Sequence, residues 1–193
     1  MSSSGADVPD APGIPRGVRL GVDVGDVRVG LARSDLDGLI ATPIETLERD
    51  TAARRVAQEA RELEARAIMI GLPRSLDGTE GAAARKARDF AAELLALLDA
   101  DAPGAAAEVR AEVRMVDERL TTVTAHQALH RSGRKGRKHR QVVDQVAAVM
   151  ILQQALDTER ATGARAGELV ERADAPATVE DPATPGTSHE EDR

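Results

Sequence analysis

The chain of 193 residues is long enough for one domain with a good core plus tails, and it shows no internal repeat. Phe90 is its only aromatic residue and it has no cysteine, which argues against a base-stacking platform and excludes a disulfide framework, a thiolate metal site and a thiol nucleophile. No apolar run approaches the ~18 residues of a membrane span and the N-terminus lacks the order of a signal peptide, so a cytoplasmic protein with no membrane partner is expected.

The formal charge of −7 is unevenly spread, with −5 of it in residues 158–193. Arg131 to Arg140 (RSGRKGRKHR) holds six basic residues and no acid. An acidic sum with a local basic run leaves a nucleic-acid partner open.

Residues 1–16 are rich in Ser, Gly, Ala and Pro and show no periodicity, so a disordered tail is expected there. Arg19 to Ser34 (RLGVDVGDVRVGLARS) is two alternating runs joined at Gly25 and Asp26, the pattern of a β-hairpin. In the first run Leu20, Val22 and Val24 share one face, and Arg19, Gly21, Asp23 and Gly25 share the other. A carboxylate with glycine at i−2 and i+2 has no side-chain neighbour on its own face, so an ion or a phosphate backbone has room to reach Asp23. Taken alone, the hairpin fits equally well an Asp23 that merely solvates an outer face.

Asp35-Leu36-Asp37-Gly38 is a turn signal, and Ile40 to Leu47 reads as a third strand, with Pro43 marking an edge position or a strand start. From Thr51 to Ala65 the period becomes helical, with Val56, Ala60 and Leu63 aligned. Ala67 to Leu72 (AIMIGL) reads as a strand buried on both faces. The loop Pro73 to Gly81 leads to a helix reaching about Leu98, for which Thr79 is the expected N-cap. Val113 to Val116 is a short strand running into Asp117-Glu118-Arg119. A helix from Thr121 or Thr122 to about His130, the basic loop and an apolar helix from Gln141 to Leu156 follow.

A second tail, acidic and disordered, is expected over residues 158–193. The domain between the tails, residues 17–157, is therefore α/β: an antiparallel three-strand meander followed by alternating helices and parallel strands in one mixed sheet.

Three carboxylates stand out. Asp23 is mid-strand, Glu118 follows the carboxyl end of a buried strand where α/β sheets collect ligands, and Asp144 opens an apolar helix with Ala147, Ala148 and Ile151 on its face. Dipole compensation explains the position of Asp144 but not its apolar face, and Glu118 taken alone reads more readily as a charged loop residue. Three carboxylates from three distant elements suit a hard divalent cation, Mg²⁺ or Mn²⁺, set against a phosphodiester. His126 and His130 share a helix face, but no third ligand is spaced to complete a zinc site. Arg131, Arg134, Lys135, Arg137, Lys138 and Arg140 are the candidate phosphate contacts.

GVDVGDVRVGLARSD, IMIGLPRSLDGTEGAAARKARDFAAEL, VDERLTT and RKHRQVVDQVAAVMILQ resemble, in order and spacing, the pre-16S rRNA nucleases, also described as Holliday-junction-resolvase-like proteins of the YqgF or RuvX type. The resemblance spans about Val18 to Asp157. It implies a ribonuclease-H-like fold, trimming of the 5′ end of precursor 16S rRNA on the small ribosomal subunit, and metal binding by Asp23, Glu118 and Asp144. Branched DNA is the alternative substrate, and either a monomer or a homodimer is compatible with the sequence. An actin-like or sugar-kinase-like ATPase shares an Asp-x-Gly on its first strand but needs a second large domain that this chain is too short to hold. A non-catalytic RNA-binding assembly factor remains the other reading.

Overall fold

The computed structural model describes residues 13–75, 77–100, 111–118 and 137–172, with side chains in the last stretch from residue 144 onward. Alternating apolar residues commit the early chain to strands: β1 (Arg19–Val24), β2 (Arg28–Ser34) and β3 (Ala41–Glu48) form an antiparallel meander. β4 (Ala67–Leu72) and β5 (Glu112–Asp117) extend the sheet parallel to β1. A two-residue strand, β6 (Glu168–Leu169), pairs antiparallel with β5, completing the order β3-β2-β1-β4-β5-β6. This is the ribonuclease-H-like mixed sheet. β3 is an edge strand, the first of the two positions Pro43 allows, and the ladder to β2 shifts register beside that proline.

The alternation builds two cores. Leu20, Val22, Leu31, Ile68 and Ile70 face Val56 of α1 (Arg49–Glu62) and Phe90 and Leu94 of α2 (Ala82–Ala100). On the other face Ala32, Met69 and Val116 meet Ala148, Ile151, Leu152 and Leu156 of α3 (Arg137–Thr162). β4 is buried along its whole length, as expected of a strand covered on both sides.

Small residues let α3 lie unusually close to the sheet. A Cβ at Gly21 would stand 2.5 Å from Leu152 Cβ, and one at Gly30 would stand 2.0 Å from the Asp144 carbonyl oxygen. The glycine gap beside Asp23 therefore admits a helix at Gly21, not the ion or phosphate backbone that the strand pattern alone suggests.

Other boundaries differ from the sequence reading. The hairpin closes through Gly25 N–H to Arg28 C=O (2.9 Å), so its tip is Asp26-Val27, one residue later than expected. α2 starts at Ala82 because Thr79 is engaged elsewhere: its N–H and hydroxyl both donate to Asp77 Oδ1, at 3.0 and 2.8 Å. α3 begins at Arg137, four residues before the expected Gln141, and so absorbs part of the basic stretch. The helix expected over 121–130, with His126 and His130, lies outside the described residues.

The chain also stays in the fold well past Asp157. α3 continues to Thr162, and Val170 N–H donates to Val113 C=O at 2.9 Å. Arg114 donates to the carbonyls of Ala166 and Gly167, and Arg172 Nε donates to Asp99 Oδ1 at 2.9 Å. Ion pairs and backbone bonds do most of this anchoring, helped by the isolated apolar contacts of Ala166 and Val170, so a search for apolar periodicity overlooks it. At the other end Arg16 pairs with Asp37; residues 1–12 and 173–193 lie outside the described residues.

Candidate active site

The face of β1 that meets α3 carries Arg19, Gly21 and Asp23, and each has a counterpart on the helix or beside it. Deep in the fold, Arg19 Nε donates to Glu159 Oε2 at 3.2 Å, both side chains being about 5 % exposed or less. Arg165 Nη1 reaches the same carboxylate at 3.3 Å. Burial pulls the Arg19 pKa down, an effect that Glu159 opposes. This buried pair pins one end of α3 to β1.

At the opposite end the strand delivers Asp23 into an open cleft of about 580 Å³, which Glu118 and Asp144 also line. Three elements that meet only in the folded chain thus bring the three expected carboxylates to one place. Asp144 sits about two turns into α3 and not at its N-terminus, so dipole compensation does not account for it. Ala147, Ala148 and Ile151 are buried against the sheet as its spacing implies.

Glu118 is 5 % exposed and depends on Gly71 of β4 for its space: a Cβ at 71 would stand 2.4 Å from Glu118 Oε1. Gly30 pairs with Asp23 across the hairpin and accepts the α3 backbone beside Asp144. Neither glycine stands out in the sequence as a site residue. The one available signal is cross-strand pairing, which sets Gly30 opposite Asp23 only when the turn is placed at Asp26-Val27.

The loop after β4 is held by charge. Arg88 donates to both oxygens of Glu80 at 2.7 Å, Arg74 Nη2 donates to Glu80 Oε1 at 2.9 Å, and Glu168 of β6 lies 3.4 Å from each arginine. These guanidinium groups hold the Glu80 carboxyl down to about 2. Hydrogen bonds from Ser75 and Thr79 hold Asp77 down to about 2 as well. Arg74 Nη1 lies 3.5 Å from Asp117 Oδ2, immediately before Glu118, so the network steadies the strand end that presents Glu118. The sides of the cleft are formed by the hairpin tip and by Ala82, Ala83 and Lys86 at the start of α2; Lys86 Nζ donates to Asp26 Oδ1 at 2.6 Å across its mouth.

Among the described residues no group of three His, Cys, Asp or Glu is gathered tightly enough to hold a metal ion outright. The donor set nevertheless fits one class of ion. Mg²⁺ takes oxygen ligands, keeps several waters and is bound through one or two carboxylates, which suits an open, acid-lined cleft better than a closed cage. Of the expected phosphate contacts, Arg131, Arg134 and Lys135 lie outside the described residues. Arg137, Lys138 and Arg140 fall on the first turn of α3, with their side chains outside the description.

A ribonuclease-H-like sheet with carboxylates from β1, the end of β5 and the last helix converging on one cleft defines a nuclease of that structural class. Comparison with known proteins names the family. The model of the RuvX family, described as Holliday junction resolvase, matches residues 17–158, and the chain belongs to that family.

A protein of Streptomyces coelicolor named "Putative pre-16S rRNA nuclease" is 51% identical over 174 residues, covering 89% of this chain and 98% of that one. Proteins of the same name from a Nocardioides species and from Thermobifida fusca are 52% and 50% identical, each over 80% of this chain and at least 96% of their own. Among solved structures, Thermus thermophilus RuvC in complex with Holliday junction substrate aligns over 80% of this chain with 14% identity and a TM-score of 0.48.

Proposed function

We propose that this nuclease is metal-dependent and trims the 5′ end of precursor 16S rRNA during maturation of the small ribosomal subunit, in the cytoplasm. The observation that carries the reading is the meeting of Asp23, Glu118 and Asp144 in one cleft. The names of the relatives supply the substrate.

Asp23, Glu118 and Asp144 would hold Mg²⁺ or Mn²⁺. A divalent ion bound there supplies a water of lowered pKa and charge stabilisation for the leaving oxygen. The protein's own part is to hold the carboxylates apart on three rigid elements until substrate arrives, and to align the strand. Gly30 and Gly71 fix where two of the carboxylates stand. Arg131, Arg134, Lys135, Arg137, Lys138 and Arg140 are assigned to the phosphate backbone, gripping it without reading bases.

The alternative substrate is a four-way DNA junction, favoured by the description of the family model. The deciding experiment incubates purified protein with precursor 16S RNA and with a synthetic junction, each with and without Mg²⁺ or Mn²⁺. Cleavage of the RNA alone, and only with metal, is expected. Cleavage of the junction alone overturns the substrate, and equal cleavage in EDTA overturns metal dependence. Size-exclusion chromatography with light scattering in the same buffers distinguishes a monomer from a homodimer.

A further inference from the structure

Among the described residues lining the cleft, two are cationic, Arg28 and Lys86. Arg28 opens β2 directly after the hairpin tip. Its side chain is only 14% exposed, its Nε makes no hydrogen bond, and Glu48 Oε1 is 3.8 Å from that nitrogen. A guanidinium this buried lends positive potential to the cleft wall without having to touch what enters.

Lys86 is different. It is half exposed and is paired to Asp26 at the hairpin tip, which is 75% exposed. The pair spans the mouth of the cleft, tying the β1–β2 hairpin to the start of α2. α2 is a 19-residue helix with no acidic residue in its first turn, so the positive end of its dipole at Ala82 and Ala83 adds to the same wall.

We propose that Lys86, assisted by Arg28, grips a phosphate of the strand entering the cleft, and that Asp26 is an intramolecular competitor which Lys86 must release to do so. The inference rests on the nuclease reading above and adds a positioning residue and a latch to it. The basis is competition between two anions for one ammonium. An ion pair this exposed is worth little in water, so a phosphodiester displaces it readily. The phosphodiester arrives with neighbouring phosphates that engage the other cations of the cleft, whereas Asp26 offers a single carboxylate. Asp26 also places a negative charge where a polyanion enters. It therefore lowers affinity twice over, once by occupying Lys86 and once by repulsion, and only the first effect requires Lys86.

That distinction supplies the test. Binding of a fluorescein-labelled precursor RNA spanning the 5′ end of 16S rRNA is followed by anisotropy in EDTA, so that nothing is cut. The full-length parent, Asp26→Asn, Lys86→Gln and the double variant are compared across a salt series. Asp26→Asn should tighten binding by about two- to fivefold at low salt, the range set by an exposed ion pair. Lys86→Gln should weaken binding and reduce the logarithmic salt slope by about 0.7, the loss of one contact to a single strand. In the Lys86→Gln background Asp26→Asn should give only the smaller gain that comes from relieving repulsion, and Lys86→Arg should restore most of the affinity. A gain from Asp26→Asn that is equally large with and without Lys86 would overturn the latch. An unchanged affinity and slope in Lys86→Gln would overturn the phosphate contact. Failure of the parent to bind the RNA at all would instead overturn the substrate reading on which the inference rests.

Discussion

Replacing Gly30 with alanine tests whether the close seating of α3 sets the position of Asp144. The new Cβ would stand 2.0 Å from the Asp144 carbonyl oxygen, 2.7 Å from its carbonyl carbon and 3.3 Å from Ala148 Cβ. The first two are main-chain atoms, so no side-chain rotation relieves the clash. β2 is held between β1 and β3, so it is α3 that moves. Non-bonded heavy atoms settle at about 3.5 Å or more, so the helix must withdraw by at least ~1 Å. Overpacking of this kind costs about 1–3 kcal/mol. For a domain of this size that lowers Tm by about 3–10 °C.

Because the clashing atom belongs to Asp144 itself, its carboxylate moves with the helix. A displacement of ~1 Å in a catalytic group costs on the order of a hundredfold in rate. Circular dichroism melts and a precursor-RNA cleavage assay on the same preparation measure both effects; with Phe90 the only aromatic residue, tryptophan fluorescence is no substitute. Gly81→Ala is the control, since its methyl meets nothing within 4 Å, and it should lose no more than the ~1 kcal/mol of a poorer N-cap. A Gly30→Ala protein that melts with the parent and cleaves at the parental rate would refute the reasoning.

Asp23→Asn keeps the shape of the side chain and removes one negative charge from the set formed by Asp23, Glu118 and Asp144. It should lose at least about a hundredfold in cleavage, still bind RNA, and melt without metal at or above the parent, because a like charge has been removed; retained cleavage would remove β1 from the centre of the site. A chain ending at Asp157 loses Glu159 and leaves Arg19 buried without its ionic partner, at a cost of about 3–5 kcal/mol. A chain ending at Arg172 keeps the pair and should melt with the full-length protein, so equal melting of the two truncations counts against the role of Glu159. The depressed pKa of Glu80 makes its contribution fully present above its ordinary value of 4.5 and lost as pH falls toward about 2. The Tm difference between parent and Glu80→Gln should therefore be constant above pH 5 and shrink through that window; a difference that grows on acidification would show that the Arg74 and Arg88 pairs do not stabilise the loop.

Legibility in the sequence followed the range of the interactions. β1, β2 and β4 could be read because each strand carries its own record of burial in alternation or in a continuous apolar run, and Glu118 because it directly follows such a strand. The start of α3 could not, since Arg137 to Arg140 has no apolar stripe and looks like the basic loop before it. Gly21 was ambiguous for a different reason: a missing side chain makes room equally for a ligand or for a helix, and what fills the space is Leu152, far along the chain. Gly71 shows the same limit, because its meaning depends on where Glu118 comes to rest. The segment from Thr158 to Arg172 was misread because its anchors are charged groups whose partners, Arg19 and Asp99, belong to distant elements.

Arg19 and Glu159 stand 140 residues apart in the chain. Translation delivers the first well before the second, and domains form as the chain emerges from its N-terminus. β1 to β5 can pair as they appear, while the sheet face carrying Gly21 and Gly30 stays uncovered until α3 arrives. That helix brings Asp144 with it, so the acid-lined cleft is completed only when it docks. A nascent chain therefore holds an incomplete cleft until α3 has emerged and docked, and catalysis cannot begin before then. For a nuclease proposed to act on ribosomal RNA, this order means that a chain only part-way through synthesis cannot yet cut.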